Sequence, residues 1–319
     1  MVNALVRPAG APLPPEPAPV DDPLTGDDLH LALYCLYELH YRGFDGVDPS
    51  WEWDPSLLAF RARLERVFEA ALRRECGTPD LVPPAAVGAW LWHFVDTLDG
   101  PSLSGHVVGE GTLEQVREFA IHRSAYQLKE ADPHTFGIPR VWGATKSAFV
   151  EIQADEYGGG RPGESHAELF AATMRALGLD DTYGAYVDHL PGVTLATCNL
   201  VSMFGLHRRL RGALIGHLAV FEMTSIGPMA RYATALRRLG LGDEAARFYD
   251  VHVTADAHHQ ELAAGPMAEG LAEAEPDLLG DLQFGARALV AVEARLAAHL
   301  LRSWQTGESS LLTAVSIAA

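Results

Sequence analysis

Cysteine is scarce: Cys35, Cys76 and Cys198 are the three in 319 residues, and no two are spaced as CxxC. Neither a disulfide framework nor a thiolate zinc site is supported, and a reducing, cytoplasmic setting fits. Basic charge is also short. With 24 Lys and Arg against 42 Asp and Glu, the net charge of −18 repels a phosphate backbone, so nucleic acid is not an expected partner. No long apolar run is free of charge. The most apolar stretch, 195–220, contains His207, Arg208, Arg209, Arg211 and His217, which marks a pair of core helices rather than a membrane span. The start, Met1–Arg7, has no charged segment leading into an apolar run and a cleavage site, so no signal peptide is expected.

Other familiar chemistry is missing too. Ser102 and Ser104 have no Gly-x-Ser-x-Gly context, and no cysteine has a base beside it in sequence. Gly158-Gly159-Gly160 follows a helical stretch and lacks the lysine of a phosphate loop, so it reads as a tight turn. Glu118 and His122 stand four apart, not in the Glu-x-x-His step of ferritin-type bundles.

Strand-type alternation is nearly absent, and from Asp27 onward apolar residues recur at three- and four-residue spacing. Helices are expected at 27–42, 55–76, 84–98, 111–130, 138–157, 164–177, 192–206, 209–225, 228–239, 243–264 and 276–304, broken at Asp132-Pro133, Gly158–Gly160, Pro191-Gly192, Gly240 and Glu275-Pro276. The expected organisation is one all-α domain over 27–304, preceded by a flexible proline-rich arm, 1–26, and followed by a loose tail, 305–319.

The richest run chemically is His252-x3-Asp256-x2-His259, because at 100° per residue these positions fall within roughly 60° of one another on one helix face. Two imidazoles and a carboxylate without thiolate suit iron, manganese or zinc. A solvated polar stripe is the alternative, and His258 points elsewhere. Three ligands do not complete a metal site, so other helices must add carboxylates from apolar segments where a charge needs a reason. Glu156 ends a helix just before the glycine run and His166 opens the next, so a short loop can bring both to one point. Glu130 ends another helix, and Glu222 lies in the apolar Leu218–Thr224 stretch.

Together, Glu130, the Asp155-Glu156-Tyr-Gly-Gly-Gly loop, His166 with Leu169-Phe170, Phe221-Glu222 and the His252/Asp256/His259 helix resemble the haem-oxygenase-like diiron oxidases and oxygenases. The resemblance spans about 84–304, and its order and spacing are most similar to the diiron domain of a two-domain N-oxygenating member. No counterpart of that member's cupin-like second domain is expected. It implies a haem-oxygenase-like helical bundle holding two Fe(II)/Fe(III) ions, with dioxygen as co-substrate. One iron would be bound by Glu130, Glu156 and His166, and the other by bridging Glu156 with His252, Asp256 and His259; Glu222 would be a mobile extra carboxylate with a catalytic role. Histidine at position 252, where fragmenting relatives resemble one another in having a carboxylate, tilts the implied reaction toward N-oxygenation of a small amine, amino acid or guanidine-like metabolite in specialised-metabolite biosynthesis. An external electron donor and a homodimer are implied partners. The rivals are C–C cleavage, decarboxylation or desaturation of an amino or fatty acid by the same cofactor, and a metal-free hydrolase or binding protein of the same fold. Tyr126, Phe149, Phe170, Phe221 and Phe248 are candidates for lining the cavity.

Overall fold

The computed structural model describes residues 1–16 and 22–315, and among the described residues there is no strand. The all-α expectation is met. Eleven helices carry the architecture: α1 (Asp27–Glu38), α2 (Pro55–Cys76), α3 (Val87–Asp96), α4 (Leu103–Gly109), α5 (Leu113–Gln127), α6 (Gly143–Glu156), α7 (His166–Ala176), α8 (Gly192–Leu206), α9 (Arg211–Arg238), α10 (Asp243–Leu262) and α11 (Leu279–Thr306). Their starts are chemically marked. Asp54 accepts from the backbone N–H of Ser56 and Leu57 ahead of Pro55, while Thr112/Gln115 and Ser165/Glu168 form reciprocal capping boxes on α5 and α7.

Helix α9 is the axis of the bundle and packs most extensively on α10 and α11. Its crossing with α11 is a backbone-to-backbone contact: a Cβ at Gly216 would collide with the Leu282 carbonyl, and one at Gly285 with the Ala213 carbonyl. Glycine is required at both, since neither opposing carbonyl can swing aside. The segment Arg208–Arg238 has the length and hydropathy of a membrane span, yet 67% of its most apolar window is buried inside the bundle, which is the signature of a core helix.

Three features depart from the sequence reading. The break expected between 225 and 228 does not occur, because α9 runs continuously through Pro228. A proline costs a helix one hydrogen bond and a steric clash, and burial along α9 outweighs both. Helix α4 was not anticipated: seven residues with two glycines give too little periodicity to read. The proline-rich arm contributes Leu5 and Leu24 to the core, and Trp51 Nε1 donates to the Arg7 carbonyl at 2.8 Å; its residues 17–21 lie outside the described residues. Beyond α11, the tail turns back to seat Ser310, whose hydroxyl donates to Glu118 at 2.7 Å and lies 2.9 Å from His122 Nε2. Glu118 and His122 thus anchor the tail, and residues 316–319 lie outside the described residues.

Candidate metal centre

Seven side chains converge at the middle of the bundle from five stretches of chain. Glu130 sits in the turn after α5, Glu156 is the last residue of α6, His166 the first of α7, Glu222 lies midway along α9, and His252, Asp256 and His259 project from α10. All seven are buried, none more than 6% exposed. They form two groups, each with ligand atoms within 4.8 Å of one another: Glu130, Glu156, His166 and His252, then Glu156, Glu222, Asp256 and His259. Glu156 belongs to both.

The local chain explains the convergence. Between Glu156 and His166, Gly158, Gly159 and Gly160 take φ of 65°, 61° and 74°, and a Cβ on Gly158 would strike the Glu164 backbone. Only glycine closes so tight a loop. It sets His166 Nδ1 2.8 Å from Glu156 Oε2. Glu130 is held by its neighbour: Lys129, buried beneath the rings of Tyr34 and Tyr41, donates to Glu38 at 2.8 Å and pins the turn.

The hydrogen bonds point the remaining lone pairs inward. His252 Nδ1 lies 2.8 Å from the Phe248 carbonyl, which only accepts, so Nδ1 carries the proton and Nε2 offers a lone pair toward Glu130 Oε1, 3.5 Å away. His259 Nε2 meets Asp155 Oδ2 at 3.1 Å, and its Nδ1 faces Glu222 at 3.2 Å and Asp256 at 3.4 Å. Ser225 Oγ donates to Asp256 Oδ2. Both Glu130 oxygens, His166 Nδ1, His252 Nε2 and Asp256 Oδ1 are buried with no hydrogen-bond partner. Orphaned polar atoms are costly in a core unless something else satisfies them. Here they are grouped in space, and a cation between them would supply that partner.

Without a cation the charge is balanced by protons. Burial pushes the Glu156 carboxyl up to about 7 and Glu222 up to about 8, with neighbouring carboxylates adding to both. Burial opposes charge on His252 and His259, yet Glu130 raises the first to about 10, while Asp256 and Glu222 raise the second to about 11. These groups exchange their protons for metal charge when an ion binds. An all-nitrogen-and-oxygen donor set fits iron.

The grouping of His252 differs from the expected partition. It stands with Glu130 and His166, whose ring centroid is 4.1 Å from its own, and not with Asp256 and His259. A helix rises 1.5 Å per residue, so position 252 lies about 6 Å along the axis from 256 and reaches a different neighbour. His258 is exposed, 3.1 Å from Glu151. Sequence reasoning quoted Asp155 in the glycine loop without giving it a role, and it missed Ser225. The signals present were the adjacency of Asp155 to Glu156 and the three-residue step from Glu222 to Ser225 on one helix face.

Aromatic side chains wall the centre. Tyr126 and Phe221 border a narrow cleft with Glu130, Glu156 and Glu222, Phe248 packs on His166 and His252, and Phe149 is plain core. A larger cavity of about 320 Å³ begins on the far side of Phe170, Phe221 and Ser225. His134 and His217 meet at 3.1 Å in the core and belong to neither ligand group, although His134 borders the cleft beside Glu130.

Comparison with known proteins agrees with this architecture. A curated relative, nitrosourea synthase of Streptomyces achromogenes subsp. streptozoticus, is 27% identical over 222 residues, 68% of this chain and 47% of the relative. The chain therefore spans about half the length of that enzyme. A CADD-like protein of unknown function from Nostoc punctiforme PCC 73102 superposes with a TM-score of 0.52 at 15% identity, covering 72% of this chain and 99% of its own, which shows likeness of fold. The haem-oxygenase-type family described as iron-containing redox enzymes matches residues 117–294, more than half the chain and a span that holds every residue of the centre, and the protein belongs to that family.

Proposed function

We propose that the protein is a non-haem diiron, dioxygen-dependent oxygenase that N-oxygenates a small amine, amino acid or guanidine-like metabolite. The observation carrying this reading is the sharing of Glu156 between two four-residue ligand groups. One carboxylate within reach of both is the arrangement that bridges a metal pair, whereas a single-metal site needs no second group.

Glu130, His166 and His252 would hold one iron, and Asp256, His259 and Glu222 the other, with Glu156 between them. When bound, the two ferrous ions supply electrons to dioxygen and an oxidised site for the substrate nitrogen. The chain's residues do the rest. The Phe248 carbonyl and Asp155 fix the orientation of His252 and His259, and Ser225 fixes Asp256. Phe170, Phe221 and Tyr126 keep bulk water from the centre and confine a substrate entering from the adjoining cavity. Glu222, whose one side-chain hydrogen bond among the described residues is to His259, would be the mobile extra carboxylate.

Nitrogen is favoured as the oxidised atom because the relative with a named activity makes a nitrosourea, which carries oxygen on nitrogen, and because position 252 is histidine. An external electron donor and a homodimeric assembly complete the proposal. The test is product mass after single turnover of the ferrous protein with ¹⁸O₂ and a panel of amines. Gain of labelled oxygen on nitrogen is expected; loss of a carbon fragment without label would assign the protein to C–C cleavage instead.

A further inference from the structure

The narrow cleft at the metal centre contains an amide that none of the ligand groups uses. Gln153 borders it together with Glu130, Glu156 and Glu222, is 2% exposed, and stands one turn before Glu156 on α6. A run of hydrogen bonds toward the surface fixes which way the amide faces. Its Nε2 donates to the Ala131 carbonyl and to Thr135 Oγ1, each at 2.8 Å; Thr135 Oγ1 lies 2.8 Å from the Tyr157 hydroxyl, which donates to Asp132 Oδ1 at 2.9 Å. The Ala131 carbonyl and the Asp132 carboxylate only accept, so the polarity of the run leads outward from the amide. Nitrogen therefore occupies the outer position, and Oε1 is left buried without a partner among the described residues.

Glu130 has the same deficiency at the same cleft, since both of its carboxylate oxygens are buried and unpartnered. His252, His259 and Asp256 differ, each having an outer partner in the Phe248 carbonyl, Asp155 and Ser225. Tyr126 and His134 also edge the cleft, yet neither hydrogen-bonds to Gln153 or Glu130. An amide oxygen and a carboxylate are both acceptors and cannot satisfy one another. A small molecule with two donors can satisfy both. The cleft has a volume of about 10 Å³, close to the least that admits one water. We infer that it holds a single water molecule that donates one O–H to Gln153 Oε1 and the other to a Glu130 oxygen, which makes Gln153 the positioning residue for Glu130. The water gives Glu130 the outer partner that the other ligands already have and leaves its second oxygen for the metal. The water site stands on the chain alone; its influence on metal geometry rests on the diiron reading.

The test begins with the crystal structure of the metal-free full chain at a resolution that shows ordered solvent. One water should lie at hydrogen-bond distance, about 2.5–3.0 Å, from both Gln153 Oε1 and a Glu130 oxygen. In Gln153→Leu, confirmed folded by circular dichroism, that water should be lost, and ¹⁷O magnetic relaxation dispersion in solution should count one long-lived water fewer than in the wild type. In the anaerobic ferrous form, near-infrared magnetic circular dichroism, which reports the coordination number of ferrous ions, should shift in the variant as both Glu130 oxygens are released to the metal. No water between Gln153 and Glu130 in the wild type, a cation in its place, or the same water retained in Gln153→Leu would each overturn the site, and the wild-type density decides even if the variant does not fold. An unchanged dichroism spectrum in a variant that has lost its water would overturn the positioning role. Failure to load iron with the water in place would count against the diiron reading and leave the water site standing.

Discussion

The Nδ1–H of His252 donates a hydrogen bond to the Phe248 carbonyl at 2.8 Å, one turn back on the same helix. That bond keeps a proton on Nδ1 in every protonation state, so Nε2, buried and aimed at Glu130, is the nitrogen that would give up its own proton to take a cation. His166, Glu130 and Asp256 carry similarly unmatched buried atoms, and a cation placed among them would satisfy all four residues.

Removing a donor should therefore empty one position and spare the other. His252→Ala is expected to bind about one iron fewer per chain than the wild type and to lose turnover, and Asp256→Ala the same for the second group, because water does not replace a fixed ligand at equal affinity. Glu222→Ala should keep nearly full iron content while the oxygen reaction changes rate. Metal analysis after anaerobic loading reads all three; unchanged iron in both His252→Ala and Asp256→Ala would contradict the grouping.

Ligand helix α10 gathers Thr254, Asp256, His258 and His259, residues with little helix preference, and it places Asp256 beside Glu156 and Glu222. Metal charge would hold that arrangement together. Amide exchange over Asp243–Leu262 should be markedly faster in metal-free protein than in the ferrous form, with α8 and α11 much less affected. Equal protection in both forms would remove the idea that binding and local folding are linked.

Acid should destabilise the fold through buried histidines that belong to neither ligand group. Burial lowers His30 to about 4 and His122 and His134 to about 3, and it holds His217 well below its ordinary value. In the unfolded chain each takes a proton near its ordinary value of 6.5. Between 6.5 and about 4 the unfolded state thus binds more protons, so stability is complete above 6.5 and is lost as pH falls. Urea midpoints from pH 7.5 to 4.5 should drop for the wild type and drop less steeply for His122→Gln, which lacks one titrating group. A steeper fall in the variant would reverse the sign argued here.

Much of this was legible in one dimension. Spacing alone puts His252, Asp256 and His259 on one helix face, and three consecutive glycines between Glu156 and His166 predict the short connection that joins them. Helical periodicity located the long helices because apolar burial along one face is what makes them helical. What could not be read was pairing across the bundle. Spacing gives a face but not the neighbour it meets, so the placement of His252 with Glu130, the anchoring of Ser310 by Glu118 and His122, and the meeting of Arg123 with Glu293 emerge only from tertiary packing. Proline was the misleading signal: at Pro228 the helix continues, and in the N-terminal arm the chain still buries Leu5 and Leu24.

The central claim, two metal positions sharing Glu156, is tested most directly by titrating anaerobic metal-free protein with ⁵⁷Fe(II) and recording Mössbauer spectra before and after exposure to oxygen. The account predicts uptake of two irons per chain and, after oxidation, a coupled diferric pair without net spin. Saturation at one iron, or two uncoupled high-spin ferric ions, would contradict it.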